Sequence, residues 1–167
     1  MERVQLSQRW PEPPLNIVLV EPEIPPNTGA IARLCAATGS RLHLIDPLGF
    51  RLTDPKMKRA GLDYWPAVDM QRHSSLDSFM LDSTSDRRVF YSTRGTHSYT
   101  AAQYRPGDYL VFGSETRGLP QEIVDSEKDR TYGIPMRNDN VRSLNLATSV
   151  AIVLYEALRQ IDLLYDI

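Results

Sequence analysis

Short runs of apolar, β-branched residues alternate along this chain with stretches of helical spacing, and this alternation constrains the fold more than any other feature. Residues 15–20 (LNIVLV) form a run typical of a buried parallel strand. Asn27 or Thr28 is expected to cap a helix that ends at Gly39, before a second strand over residues 41–45. A strand–helix–strand unit with short connections predicts a parallel, right-handed crossover.

The same alternation continues to the end of the chain. Short helices are expected over residues 54–60 and 75–81, strands over 88–92, 109–112 and 131–134, and a helical turn over 120–125. A long amphipathic C-terminal helix is predicted from apolar residues at steps of three and four, which are Leu146, Val150, Val153, Leu154, Ala157 and Ile161. The sequence therefore predicts an α/β fold with a mostly parallel sheet flanked by helices.

The chain length of 167 residues suits one domain with a single core. Residues 1–14 carry three prolines and no periodicity, so we expect an extended N-terminal arm, which a partner subunit can order, followed by one domain over residues 15–167. No apolar run approaches the roughly 20 residues that span a bilayer, and the N-terminus lacks a signal-peptide stretch. We expect a cytoplasmic protein without membrane contact. The single cysteine, Cys35, excludes an internal disulfide framework.

The net charge of −2 means that nucleic-acid binding would need a local basic patch. Sixteen arginines stand against three lysines, and the planar fork of arginine suits phosphate and base recognition. The densest basic run contains Arg51, Lys56, Lys58 and Arg59, with Asp54 as the only opposing charge. This run fits an RNA-binding patch and a solvated helix face equally well.

Three glycine- or proline-rich segments follow predicted strands, at the sheet edge where α/β proteins bind ligands. In the first, EPEIPPNTGAIAR, Arg33 lies four residues after Gly29 on one helix face and can hold a phosphate or orient a hydroxyl. A capped helix with a solvated arginine explains the same residues. In the second, FGSETRGLP, Gly113 and Gly118 bracket a loop whose amides can face a ligand, and Glu115 can accept hydrogen bonds. Alternatively, Glu115 only sits near the N-terminus of the next helix.

The third segment is IPMRNDNVRSLNLA. Its extended start leaves backbone groups free beside Met136, an arrangement that suits an adenine ring. Ser143 and Asn145 precede the long helix, and helix capping accounts for one of them but not both. Motifs of other nucleotide, metal or hydrolase sites (GxGxxG, GxxxxGK[ST], HExxH, GxSxG) are absent from the sequence, and the three histidines lack metal-ligand spacing, so no metal site is expected.

Together, the stretches NIVLVEPEIPPNTGAIARLCAATGSRLHLIDPLGF, GDYLVFGSETRGLP and IPMRNDNVRSLNLATSVAIVLYEALRQ closely resemble the three motifs of the SPOUT 2′-O-ribose methyltransferases. The resemblance spans roughly residues 15–161. The EPEIPPNTG and KRAGLDYW segments are most similar to the bacterial enzymes that methylate the wobble nucleotide, C or U at position 34, of leucine tRNAs. The resemblance implies a SPOUT fold with a C-terminal trefoil knot, a homodimer, and S-adenosylmethionine (SAM) bound in the knot and converted to S-adenosylhomocysteine.

The resemblance also implies roles for individual residues. Arg33 matches the catalytic arginine of the family. The polar motif positions near the reacting centre are Asn27, Glu115, Ser143 and Asn145. The positions implied to contact SAM are Tyr91, Gly95, Gly113, Ile134, Met136, Ser143 and Leu144. Arg94 joins Arg51, Lys56, Lys58 and Arg59 as a candidate for RNA binding. Tyr91 stands where the family usually has a smaller aliphatic residue, so its contact with SAM is expected through its backbone.

The methyl group of SAM is already activated, so such an enzyme mainly aligns a ribose oxygen and removes a proton. Because arginine normally stays protonated, Arg33 is a poor general base. The hypothesis is that Arg33, steered by a phosphate and by Asn145 or Ser143, holds the 2′-hydroxyl and stabilises the developing oxyanion. DNA, which lacks this hydroxyl, should not react. Two alternatives remain: another tRNA position or ribosomal RNA as the target, and a non-catalytic SAM- or RNA-binding module.

Overall fold

The computed structural model describes residues 2–83 and 87–166, without the side chains of residues 58 and 60–62. Its centre is a seven-stranded sheet in the order β3-β2-β1-β6-β4-β7-β5, and every registered strand pair is parallel. The prediction of an α/β fold with a mostly parallel sheet is therefore confirmed. The strands are β1 (Asn16–Val20), β2 (Arg41–Ile45), β3 (Met70–His73), β4 (Arg88–Tyr91), β5 (His97–Ser98), β6 (Tyr109–Phe112) and β7 (Thr131–Gly133).

Helices cover both faces of this sheet. They are α1 (Pro25–Thr38), α2 (Pro55–Gly61), α3 (Leu76–Asp82), α4 (Gln121–Ser126) and α5 (Leu146–Leu164). Successive side chains of a strand point to opposite faces. Ile17 and Leu19 of β1 pack with α1 and α5 on one face. Val18 and Val20 pack with α3 and α4 on the other face, so β1 is buried at all five positions.

The first helix begins differently from the sequence prediction. Its N-cap is Ile24, which makes no side-chain capping bond, and Pro25 occupies the first helical position. Asn27 and Thr28 lie inside the first turn, so the prediction that either caps the helix is wrong. The end was predicted correctly, because Gly39 adopts a left-handed conformation with φ of 70°.

Two short strands were missed because neither carries an apolar run. They are β3 (MQRH), at one edge of the sheet, and β5 (HS), at the other. Their partner strands and the burial beside them, rather than their own residues, decide their conformation. A 3₁₀ helix over Leu62–Ala67, also not predicted, continues directly from α2.

The N-terminal arm has no helix or strand over residues 2–14. Arg9 ties it to the end of α5 through ion pairs with Asp162 at 3.0 Å and Asp166 at 2.7 Å. None of the helices described for residues 2–83 and 87–166 has the length and apolar character needed to cross a membrane. The trefoil knot implied by the resemblance fits this strand order and stays a prediction.

Candidate active site

A cleft of about 450 Å³ opens where three neighbouring strands, β6, β4 and β7, end. The cleft volume is in the range usual for small-molecule sites. The three segments singled out from the sequence all reach it, as expected for loops at the carboxyl edge of a parallel sheet. Its lining includes ten of the predicted site residues: Asn27, Tyr91, Arg94, Gly113, Glu115, Ile134, Met136, Ser143, Leu144 and Asn145.

A chain of polar side chains joins the three segments at this cleft. Asn145 Nδ2 donates to Asn27 Oδ1 at 2.9 Å, and Asn27 Nδ2 donates to Glu115 Oε1 at 3.3 Å. Asn145 Oδ1 in turn accepts from the backbone N–H of Thr148 at 3.1 Å, which caps α5. Because each amide both donates and accepts, the orientations of Asn27 and Asn145 are fixed by the network. Asn27 is only 8% exposed, so it serves as the internal link rather than as a surface contact.

The Glu115 carboxylate binds the start of α1. It accepts from the backbone N–H groups of Glu23 at 2.7 Å and Ile24 at 3.0 Å. A carboxylate is stabilised at a helix N-terminus, where backbone donors lack intrahelical partners. The alternative that Glu115 serves the helix following its own loop is therefore wrong: it serves α1, which is remote in sequence. With these acceptor roles occupied, Glu115 orders the site rather than acting as a free base.

The next two residues of the same loop also bind the segment after β1. The Thr116 hydroxyl donates to the Glu23 carboxylate at 2.7 Å, and this hydrogen bond lowers the pKa of Glu23 below its usual value. Arg117 pairs with Glu21 at 3.0 Å. Sequence reasoning did not assign Thr116 or Arg117 to the cleft, although both line it. In the sequence, only their position within the FGSETRGLP segment indicates that Thr116 and Arg117 lie near the site.

Two predicted cofactor glycines allow backbones to pack closely. A Cβ on Gly113 would lie 2.0 Å from the carbonyl carbon of Gly118, and one on Gly95 would lie 2.3 Å from that of Tyr132. Both positions therefore need glycine for chain packing, whatever ligand binds nearby. Gly113 lines the cleft, whereas Gly95 is not among the lining residues and packs against the backbone of β7.

Tyr91 reaches the cleft at the end of β4, but its ring belongs to the core. The ring stacks on Phe112 with centroids 4.8 Å apart, and its hydroxyl donates to the Tyr104 hydroxyl at 2.9 Å. Burial raises the pKa of Tyr91 well above its usual value. These contacts fix the side chain, so a bound cofactor would meet mainly the backbone of Tyr91, in line with the sequence expectation.

Arg33 is not among the residues that line the cleft of its own protomer. It is exposed on α1, with its guanidinium 4.9 Å from the centre of the Tyr64 ring. Among the predicted RNA contacts, Arg51, Lys56 and Arg59 are exposed before and along α2, and the side chain of Lys58 lies outside the described residues. Arg94 does reach the cleft, where Nη2 donates to the Leu119 carbonyl at 2.7 Å and Nη1 contacts the Gln121 side chain.

The cleft offers the mixture of surfaces that SAM requires. Ile134, Met136 and Leu144 supply apolar side chains, while Ser143 and the loop backbone supply polar groups. An apolar lining with a few polar groups is typical of small-molecule and cofactor sites. In the described part of the chain, no three histidine, cysteine, aspartate or glutamate side chains come together as a metal site.

Comparison with known proteins identifies the family. The SpoU rRNA Methylase family matches residues 14–155. A tRNA (cytidine(34)-2′-O)-methyltransferase of Yersinia pestis is 52% identical, over 88% of this chain and 94% of that protein. A solved structure reported under "Structural insights into the 2-OH methylation of C/U34 on tRNA" has a TM-score of 0.82 at 52% identity, over 87% of this chain and 95% of that one.

A more distant structure carries the cofactor. The SpoU methyltransferase AviRb from Streptomyces viridochromogenes, in complex with AdoMet, has a TM-score of 0.74 at 26% identity, over 93% of this chain and 62% of that one. The family match over residues 14–155 includes all three segments that build the cleft. The chain therefore belongs to the SpoU rRNA methylase family and is a methyltransferase.

Proposed function

We propose that this methyltransferase transfers a methyl group from SAM to the ribose 2′-hydroxyl of the wobble nucleotide, C or U at position 34, of tRNA. The observation that carries the proposal is the hydrogen-bonded chain Glu115–Asn27–Asn145, which joins the three family segments at one cleft. The Yersinia pestis relative, whose name gives cytidine 34 of tRNA as its target, supports the choice of substrate. We further propose leucine tRNAs as the isoacceptors and the cytoplasm as the location.

Different residues of the cleft would bind SAM and orient the ribose of the substrate. Met136, Ile134 and Leu144 would hold the adenine ring of SAM, and Ser143 and the backbone at Gly113 would bind its polar groups. When bound, SAM supplies an activated methyl group and leaves as S-adenosylhomocysteine. We propose no metal, because a sulfonium methyl donor needs no Lewis acid. Asn145 is held by Asn27 at the N-cap position of α5, where it can orient the ribose of the substrate.

Arg33 would stabilise the negative charge that develops on the 2′-oxygen. A guanidinium carries five N–H donors and no acceptor, so the role of Arg33 is to donate hydrogen bonds and not to remove a proton. Six residues along α1 place it about 9 Å further along the helix axis than Asn27, outside the cleft of its own protomer. We infer a homodimer in which Arg33 of one copy completes the cleft of the other.

A complementation experiment tests this arrangement. Arg33→Ala and Asn145→Ala should each abolish methyl transfer, while co-expression of the two should restore about a quarter of the wild-type activity. If the two variants pair at random, half of all dimers are heterodimers. In each heterodimer, one of the two clefts has both Asn145 and the Arg33 of the other copy intact. Inactive mixtures that still contain heterodimers would show that Arg33 serves its own protomer.

The direct test of function is nucleoside mapping by mass spectrometry. Bulk tRNA incubated with the protein and SAM should gain a 2′-O-methyl group at nucleotide 34 of leucine isoacceptors. A DNA version of the same anticodon stem-loop is the matched control and should gain none. Methylation of another tRNA position or of ribosomal RNA would replace the proposed substrate. Absence of transfer to any RNA, with SAM still bound, would indicate a non-catalytic module.

A further inference from the structure

We propose that Tyr64 is a positioning residue, which holds the Arg33 guanidinium ready for the substrate. The inference rests on the proposed function, since it gives Arg33 a task at the RNA ribose. The guanidinium carbon lies 4.9 Å from the centroid of the Tyr64 ring, within the distance at which a cation is attracted to an aromatic face. Tyr64 is 40% exposed, so the pair lies at the surface, where RNA can approach.

The geometry leaves the hydrogen-bond donors of Arg33 available. A guanidinium carries five N–H donors, and contact with the face of an aromatic ring gives none of them an oxygen or nitrogen acceptor. Within the described residues, Arg33 makes no hydrogen bond or ion pair with the protein, and the Tyr64 ring is its recorded partner. Arg72 shows the contrast: it donates three hydrogen bonds to the Asp46 carboxylate. A carboxylate partner would occupy the donors that an RNA ribose or phosphate requires.

The segment that carries Tyr64 is itself anchored. Tyr64 belongs to the 3₁₀ helix Leu62–Ala67, which packs against α1. Its neighbour Trp65 is half-buried and packs on the main hydrophobic core. The core therefore fixes the backbone beside Tyr64. The Tyr64 ring in turn restricts the long side chain of Arg33. Restriction before binding reduces the entropy that would otherwise be lost when substrate orders that side chain.

Kinetics with two substitutions test the role. Tyr64→Leu should lower kcat by roughly two- to fivefold, the effect expected of a cation–π contact at an exposed site. The KM for SAM should stay unchanged, because the cofactor cleft does not include Tyr64. Tyr64→Phe should retain full kcat, since the ring face rather than the hydroxyl makes the contact. Tyr165→Leu removes a similar ring beneath Arg9, 5.5 Å away, and should leave kcat unchanged.

A spectroscopic measurement separates this proposal from the proposed function. The Nε–H proton of Arg33 should show an upfield ring-current shift in wild type and in Tyr64→Phe, and lose it in Tyr64→Leu. If wild type methylates no RNA, the proposed function fails, although the ring-current shift can still be seen. If wild type is active and Tyr64→Leu matches its kcat, the positioning role is refuted. Loss of activity in Tyr64→Phe would equally overturn it, by assigning the effect to the hydroxyl.

Discussion

Asn27 is the residue at which three distant parts of the chain meet. Its amide oxygen accepts from Asn145 and its amide nitrogen donates to Glu115. Both polar atoms of the amide therefore have partners, and only one orientation of the amide group satisfies them. The side chain is nearly buried, and an unpaired polar group there would cost stability. Its value lies in holding Asn145 and Glu115 at the distances that the cleft requires.

Asn27→Asp should therefore damage both stability and activity. The substitution replaces the amide that donates to Glu115 with a carboxylate, so two negative groups would face each other at a position that is only 8% exposed. We expect the free energy of unfolding to fall by about 1–3 kcal/mol and kcat to fall with it. Urea denaturation and methyl-transfer assays measure the two effects.

The control for this substitution is a double-mutant cycle. Adding Glu115→Gln to Asn27→Asp removes the repulsion and offers a new amide donor, so part of the lost stability should return. Strictly additive losses in the double variant would mean that Asn27 and Glu115 do not interact in the folded protein.

Among the secondary-structure elements, the sequence predicted the strands that carry an apolar run of their own. Residues 17–20 of β1 and the YLVF run of β6 are apolar or aromatic, because both strands lie in the middle of the sheet with helices on either face. The edge strand β3 has only four residues, two of them exposed, so it carries no comparable signal. The start of α1 was misplaced for a different reason: Asn27 is a good capping residue, but the site uses its amide for tertiary contacts.

The pairing of β2 with β3 brings two histidines together. His43 Nε2 lies 3.0 Å from Asn16 Oδ1, while Asn16 Nδ2 donates to the Gly107 carbonyl at 3.0 Å. The Asn16 oxygen is thus an acceptor, which places the proton of neutral His43 on Nε2. His43 Nδ1 must then accept from His73 Nε2, 3.0 Å away. A second proton, on His43 Nδ1, would force His73 to give up the proton on its Nε2 or would break this contact.

Acid should therefore destabilise the protein through His43. Burial, followed by the charge of His73, lowers the pKa of His43 from 6.5 to about 4. Between these values the unfolded chain binds a proton that the folded protein does not. The stability contributed by neutral His43 is complete above about pH 6.5 and decreases as the pH falls toward 4, by about 3 kcal/mol in all. Urea denaturation at pH 7, 5.5 and 4.5 measures this dependence.

His43→Gln provides the comparison, because glutamine cannot titrate in this range. The variant should be less stable at pH 7 but should lose stability less steeply as the pH falls. Parallel profiles for the two proteins would assign the acid sensitivity to other groups.

At the scale of the whole molecule, the cleft could be predicted from sequence and the surroundings of Arg33 could not. The cleft is built by loops at the ends of neighbouring strands, so motif order and the parallel sheet together place Gly113, Ser143 and Asn145. Arg33 shares a segment with Asn27, but the rotation of α1 turns it away from that cleft. The position at which Arg33 acts depends on the Tyr64 ring and on how two copies of the chain assemble. Neither can be read from the spacing of residues in the sequence.

Charge is also a property of the whole molecule. The net charge is −2, and many arginines are paired with carboxylates, as Arg159 is with Glu156 at 2.9 Å. The exposed side chains of Arg51, Lys56 and Arg59 form no ion pair within the described part of the chain, so their charge is not neutralised locally. This basic patch, on and before α2, is the surface from which we expect phosphate contacts to be made.

Removing this basic patch should change the salt dependence of tRNA binding. Each phosphate contact contributes roughly 0.7–0.9 to the slope of log K against log salt concentration, because binding releases condensed counterions. The triple variant Arg51→Gln, Lys56→Gln and Arg59→Gln should therefore bind tRNA more weakly and with a slope smaller by roughly two to three. Arg159→Gln, which removes one positive charge already paired with Glu156, should leave the slope nearly unchanged. A triple variant that keeps the wild-type slope would place the RNA path elsewhere on the molecule, with Arg94 at the cleft as the next residue to replace.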